Sequence, residues 1–275
     1  MQQPKPIDNN SVGNSEGPIE HMQDAVISSR SPWYDVFRRA QFLIFFYFLL
    51  FLLFSLLAFF VHVYPIIPAD IAITKEFQEN PSPWLNAFMV GVSYLGNQPI
   101  VFSALILLTA IVFWLVRLRL EALFIVGLSI VSQILNLLIK FIVNRPRPTA
   151  NLVDIIQKAS GNSFPSGHVM SYVAFWGLLF SLSLMLFKRD RWWHYALLIV
   201  SALFVILVGP SRIYLGAHWA SDVIGGYLFG GLLLGLTIWL YLSLKSKGVL
   251  APPVKKPGEH MLEPSPPQAN ARVQS

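Results

Sequence analysis

The chain has 275 residues, 55% of them hydrophobic and only 12% charged, with a mean hydropathy of +0.57; soluble domains carry about 25% charge, which excludes a chain solvated mainly by water. Cysteine is absent, which excludes disulfides, thiolate metal sites and thiol nucleophiles. The net charge of +6 and pI near 9.6 do not point to nucleic acid, because the basic residues lie in short loops between apolar runs, a membrane-topology pattern.

Residues 1–32, rich in Asn, Ser, Gln and Pro, are expected to form a disordered tail. They are too polar for a secretory signal. Trp33, Tyr34, Arg38 and Arg39 read as an aromatic and basic collar at a membrane surface. Residues 41–63 are almost purely apolar, enough to cross about 30 Å of hydrocarbon. A polar stretch follows with Asp70, Glu76 and Glu79 against Lys75. Trp84, Leu85, Phe88, Met89 and Val92 recur at helical spacing, either as an interfacial helix or as the first turns of the next span. Further spans are expected over 99–116, 122–143, 166–187, 195–208 and 219–244, giving an all-α, six-span membrane domain over residues 33–247. The Pro-rich residues 248–275 are expected to be a second disordered tail. Gly226, Gly230, Gly231 and Gly235 in the last span form small-xxx-small pairs, read as close packing inside the bundle rather than a dimer contact.

The ends and the loops after the second and fourth spans carry an excess of basic residues, and the first external loop is net negative. The positive-inside rule puts both termini in the cytoplasm. Three polar clusters then share the extracytoplasmic face. The first runs from Lys140 through Arg145-Pro146 to Arg147-Pro148. The second is Pro165-Ser166-Gly167-His168. The third holds Ser211, Arg212, His218 and Asp222. A helix beginning at Ala217 would put His218 and Asp222 on one face, where the carboxylate orients the imidazole and frees its other nitrogen. With Arg212 a short loop away, that arrangement suits attack on an anion such as phosphate. Each cluster has a plainer reading: snorkelling cations, a helix start capped by serine and stiffened by proline, and a satisfied polar pair between helices. An intramembrane charge costs roughly 2.5–3.5 kcal/mol on insertion scales, so several at one level call for a shared reason, and an anionic ligand supplies it.

The linked pattern Lys-x6-Arg-Pro, Pro-Ser-Gly-His and Ser-Arg-x5-His-x3-Asp, from Lys140 to Asp222, resembles the three-part signature of the type 2 phosphatidic acid phosphatases, in their integral membrane branch. The resemblance implies His218 as a nucleophile that forms a phosphohistidine, oriented by Asp222. It implies His168 as general acid and then base, and Lys140, Arg147 and Arg212, helped by Ser166, Gly167 and Ser211, as the phosphate clamp. Arg145-Pro146 duplicates the Arg-Pro doublet and leaves Arg145 open as a further phosphate contact, while the spacing favours Arg147 as the motif residue.

The expected function is hydrolysis of a membrane lipid phosphate or diphosphate: phosphatidic acid, phosphatidylglycerol phosphate or an isoprenyl diphosphate. The expected location is a bacterial inner membrane, with the site on the extracytoplasmic side. Phosphoryl transfer needs mainly positioning and charge stabilisation, and three cations around one small volume would repel a dication, so neither metal nor cofactor is expected. The competing readings are a lipid phosphotransferase using the same site and, in a different class, an anion transporter.

Overall fold

In a computed structural model of the chain, residues 33–187 and 192–250 are described, residues 33–40 by backbone only. The tail expected over 1–32, most of that over 248–275, and the basic loop of Lys188, Arg189 and Arg191 fall outside the described residues. All regular structure among the described residues is helical: α1 (Trp33–Val63), α2 (Pro68–Phe77), α3 (Pro83–Asn97), α4 (Pro99–Leu115), α5 (Arg119–Val143), α6 (Gly167–Leu186), α7 (Trp192–Tyr214) and α8 (Ala220–Ser246). The described residues fall into two compact units, one ending at Leu56 and the other beginning at Leu57. In the first, Phe42, Ile44, Phe45 and Phe48 of α1 are exposed, an apolar helix surface suited to lipid. The candidate site described below lies in the second unit.

The part of α1 from Gln41 to Val63 and helices α5, α6, α7 and α8 are each long and apolar enough to cross a membrane, and α3 with α4 makes a sixth span when taken as one, bent by 70°. The six-helix expectation therefore holds with one broken member. Gln98, the residue at the break, sits at φ −115° and ψ 80°. The following Pro99 disfavours the α conformation there. The apolar run from Trp84 to Val92 is thus a separate helix hinged onto α4.

Helix α6 is the axis of the bundle: 67% of its span is buried, against 28% for α5, 33% for α7 and 28% for α8. Its middle turn, Val173–Gly177, is wound as a π-helix, and Trp176 there stacks on Phe204 of α7 with ring centroids 4.6 Å apart. Helix α8 lies tightly against α6. A Cβ on Gly226 would come within 2.9 Å of Val169 Cβ, and one on Gly230 within 3.2 Å of Val173 Cβ, whereas Gly231 faces open space. Two of the small residues therefore serve packing within the bundle. At the far end Glu121 ties α5 to α8, accepting from Tyr241 Oη at 2.7 Å and from Lys245 Nζ at 2.8 Å.

The end of the fifth span differs from the sequence reading. Residues 209–212, read as loop, continue α7, so the fifth span runs to Tyr214 and Arg212 sits in its last turn. Pro210 has no N–H to give, and its ring displaces the neighbouring helical bond. The Tyr227 phenol of α8 fills the gap. The Gly209 N–H donates to Tyr227 Oη at 3.1 Å, and Tyr227 Oη donates on to the Val205 carbonyl at 2.6 Å, with the Ile206 carbonyl at 3.3 Å. Gly209 leaves room for the ring, since a Cβ there would meet Tyr227 Oη at 2.7 Å. Side-chain repair of freed backbone groups is what lets proline persist in a membrane helix.

Tyr227→Phe is accordingly expected to cost about 1 kcal/mol of thermal stability in detergent. The loss should shrink when combined with Pro210→Ala, which restores a helical donor. Equal losses on both backgrounds, read from a double-mutant cycle, would show that the two residues are not coupled.

Candidate active site

The ends of four helices converge on one level of the bundle. Lys140 is in the last turn of α5, His168 in the first turn of α6, Arg212 in the last turn of α7, and Asp222 in the first turn of α8 with His218 just ahead of it. Helix α5 stops at Asn144, which takes the left-handed conformation at φ 49°, one that asparagine tolerates better than most residues. The chain then turns into the loop carrying Arg145 and Arg147. The Ser163 N–H donates to the Arg145 carbonyl at 2.8 Å, which folds the return strand of the loop over the site.

His218 precedes α8 rather than lying on it, because the helix starts at Ala220 and not near Ala217. Asp222 folds back and accepts from the Trp219 N–H at 2.9 Å. Asp222 Oδ2 stands 3.5 Å from His218 Nδ1, and the Ser163 hydroxyl sits between them, 3.4 Å from Nδ1 and in a very short hydrogen bond to Asp222 Oδ2. Arg147 Nη1 donates to the Ala217 carbonyl at 2.7 Å and lies 3.1 Å from His218 Nε2. A guanidinium offers no acceptor, so Nε2 must hold a lone pair and Nδ1 the proton. The other side agrees: Ser163 has one proton, given to Asp222, and accepts from Nδ1–H.

His218 is buried, and that burial, reinforced by the charges of Arg147, Arg212 and Lys140, holds its imidazole well below the usual 6.5. It is therefore neutral at neutral pH, with a bare Nε2. Arg147 is itself shifted downward by burial, partly offset by the Asp222 carboxylate, but a guanidinium stays charged at any working pH.

The remaining residues of the three clusters surround this pair. Lys140 Nζ donates to the Asn162 carbonyl at 2.9 Å, the same oxygen that Arg147 Nη2 approaches at 3.4 Å. His168 Nε2 lies 2.8 Å from Asn97 Oδ1, and Arg212 Nη1 is 3.5 Å from that same atom and 2.8 Å from Gln157 Oε1. His168 lies within electrostatic range of Arg212, His218, Lys140 and Arg147. Among these site residues, two buried donors have no hydrogen-bond partner, Arg212 Nε and Ser166 Oγ. Gly167 is held so close to Asn136 that a Cβ would meet its Oδ1 at 2.9 Å. Ser211 is directed elsewhere: its hydroxyl donates to the Val208 carbonyl at 2.7 Å and pairs with the Ser93 hydroxyl at 2.8 Å.

Arg145 does not join the cation cluster. It is fully buried and bridges two carboxylates, Asp222 Oδ1 through Nη1 and Asp70 Oδ2 through Nη2, each at 2.7 Å. Its Nε donates to the Pro65 carbonyl at 2.9 Å. Asp70, from α2, also accepts from the Ser221 N–H at 2.9 Å and the Ser221 hydroxyl at 2.6 Å. Sequence reasoning missed Asp70, Asn97, Gln157 and Ser163. Asn97-Gln98 was visible as a polar break between two apolar helical runs, and Ser163 as part of the same short segment as Ser166; nothing in the chain marks Asp70.

A profile described as the PAP2 superfamily matches residues 120–245. Phosphatidylglycerophosphatase B of Bacillus subtilis (strain 168) is 31% identical over 183 residues, 66% of this chain and 87% of that protein. The chain belongs to the PAP2 superfamily. An undecaprenyl-diphosphatase of Sulfolobus acidocaldarius is 26% identical across 68% of this chain and 82% of its own length. The crystal structure of a transmembrane PAP2 type phosphatidylglycerolphosphate phosphatase from Bacillus subtilis superposes with a TM-score of 0.61 at 29% identity, over 72% of this chain and 96% of that one. The named relatives are phosphatases and diphosphatases, and this PAP2 protein is a membrane-embedded hydrolase.

The tautomer and its electrostatic setting are directly measurable. Nitrogen-15 NMR of His218 should show a protonated Nδ1, a bare Nε2 and titration below pH 6.5. Arg147→Gln removes a repelling charge and should raise the midpoint by up to about one unit. An unchanged or lowered midpoint would mean that Arg147 does not govern this imidazole.

Proposed function

We propose that this PAP2 protein removes phosphate from a membrane lipid phosphate or diphosphate by way of a phosphohistidine on His218, without a metal ion. The observation that carries the reading is the company kept by the buried, bare Nε2 of His218. Lys140, Arg147 and Arg212 surround it electrostatically, and two buried donors, Arg212 Nε and Ser166 Oγ, have no partner of their own. A phosphoryl group needs that set: donors for three equatorial oxygens and a nucleophile in line with the leaving oxygen.

In this reading the incoming phosphate draws Arg147 from Nε2 and is held by Arg147, Arg212, Lys140 and Ser166, with the first turn of α6 at Gly167 presenting backbone N–H groups to it. The Nε2 lone pair attacks phosphorus while the bond to the lipid oxygen breaks, and that oxygen takes its proton from His168. Positive charge on the phosphorylated His218 is balanced through Nδ1–H, Ser163 and Asp222. Neutral His168 then removes a proton from water, the hydroxide attacks phosphorus, and the phosphorus–nitrogen bond breaks to return the lone pair to Nε2. Arg suits the bidentate contacts and Lys the point charge. Ser211, with its hydroxyl committed to Val208 and Ser93, supports the clamp from beneath.

Similarity to phosphatidylglycerophosphatase B makes phosphatidylglycerol phosphate the first substrate to test, with undecaprenyl diphosphate and phosphatidic acid beside it. Both termini lie in the cytoplasm in this reading, as the loop charges favour, so the site faces the extracytoplasmic side. Phosphate release from those three lipids, measured with purified protein in detergent, is expected for at least one of them and unchanged by chelator. His218→Ala should lose more than about a thousandfold. Near-normal release by that variant would remove the nucleophile assignment, and zinc-dependent recovery after chelation would remove the metal-free one.

A further inference from the structure

Helices α3 and α4 lie ahead of the stretch that the PAP2 profile matches, residues 120–245, yet their elbow reaches the candidate site. Gly96 packs flat against the His168 ring: a Cβ at that position would fall 2.1 Å from His168 Cδ2 and 2.6 Å from Nε2. The next residue, Asn97, sets its amide oxygen 2.8 Å from His168 Nε2 and 3.5 Å from Arg212 Nη1. The shared contact fixes the chemistry. Arginine can only donate, so the asparagine atom facing both partners is the acceptor, Oδ1, and His168 Nε2 must carry a proton to give it. The backbone around Asn97 is held from α6 as well, since Tyr172 Oη donates to the Val92 carbonyl at 2.7 Å and takes the Gly96 N–H at 3.4 Å.

We propose that Asn97 is a positioning residue for His168, keeping a proton on Nε2 and holding the ring against Gly96 so that this proton is the one delivered to the leaving oxygen. The inference rests on the reading of His168 as general acid. In the first step His168 acts as the imidazolium that the bound phosphate favours: the phosphorus–oxygen bond breaks, its electron pair stays on the lipid oxygen, that oxygen takes the Nε2 proton, and His168 is left neutral with its remaining proton on Nδ1. Asn97 Oδ1 loses its donor at that moment and regains it when Nε2 takes a proton from water in the second step. The two Nε2 atoms are thus set in opposite states, unprotonated in His218 and protonated in His168, by neighbours that can each act in only one sense. Arg147 can only donate to His218 Nε2, and the Asn97 oxygen can only accept from His168 Nε2.

Leaving-group dependence separates this role from a structural one. A lipid alkoxide needs a proton to depart and p-nitrophenolate does not, so loss of a general acid lowers turnover of the lipid phosphate far more than that of p-nitrophenyl phosphate. The quantity to measure is the ratio of the two kcat values, which is independent of how much of the protein is folded. His168→Ala should lower the ratio by about a hundredfold. Asn97→Ala, and Asn97→Ser whose hydroxyl falls short of Nε2, should each lower it by about tenfold, and Asn97→Asp, which keeps an acceptor, should restore it to within about twofold. An unchanged ratio in the alanine and serine variants alongside a collapsed ratio in His168→Ala would overturn the role of Asn97 alone. An unchanged ratio in His168→Ala would overturn the general-acid reading on which it stands.

Discussion

The site depends on one buried guanidinium. Arg145 has no exposed surface and lies between Asp70 and Asp222, which are themselves buried, with 2.7 Å contacts to each. Burying such charges is tolerable only when every partner is present, because losing one strands the others in a medium that cannot solvate them. The bridge joins α2, the loop after α5 and the start of α8, three segments distant in sequence. It also holds Asp222 in place, so that its second oxygen takes the Trp219 N–H and the Ser163 hydroxyl while the first is bound to Arg145.

From that fixed carboxylate the polarity of the site follows in order. Ser163 gives its proton to Asp222 and accepts from His218 Nδ1, which leaves Nε2 bare beneath Arg147. Burial and three surrounding cations keep the ring neutral. The cluster of fixed positive charge attracts a dianion, and the neutral imidazole within it keeps an unprotonated Nε2 whose lone pair attacks once Arg147 turns to the phosphate. These are the two properties that phosphoryl transfer through nitrogen asks of a protein.

Much of this was legible in the chain. Long apolar runs gave the helices, and the spacing of Lys140, Arg147, His168, Arg212, His218 and Asp222 singled out the residues that the fold gathers at one end of the bundle. The fifth span was expected to end at residue 208, yet the helix runs on through Pro210, because Tyr227, contributed from α8, repairs the break, and no local pattern announces such a repair. Pro99 does mark a true bend, and that bend is what delivers Asn97. The ambiguity between Arg145 and Arg147 was beyond the sequence, because the answer depends on Asp70, which lies 75 residues from Arg145 and is one of several unremarkable carboxylates between the first two apolar runs. The helical pairing expected of His218 and Asp222 was a fair use of the four-residue spacing, but Asp222 starts the helix by folding back, and the link to His218 passes through Ser163.

The account centres on a single phosphorus flanked by His218 Nε2 on one side and His168 on the other. The most direct test is a structure of the protein with vanadate bound. The account predicts a five-coordinate vanadium with His218 Nε2 as one axial ligand, His168 facing the opposite axial oxygen, and Arg147 moved from Nε2 onto an equatorial oxygen. Vanadate held with no bond to His218, or bonded through Nδ1, would contradict it.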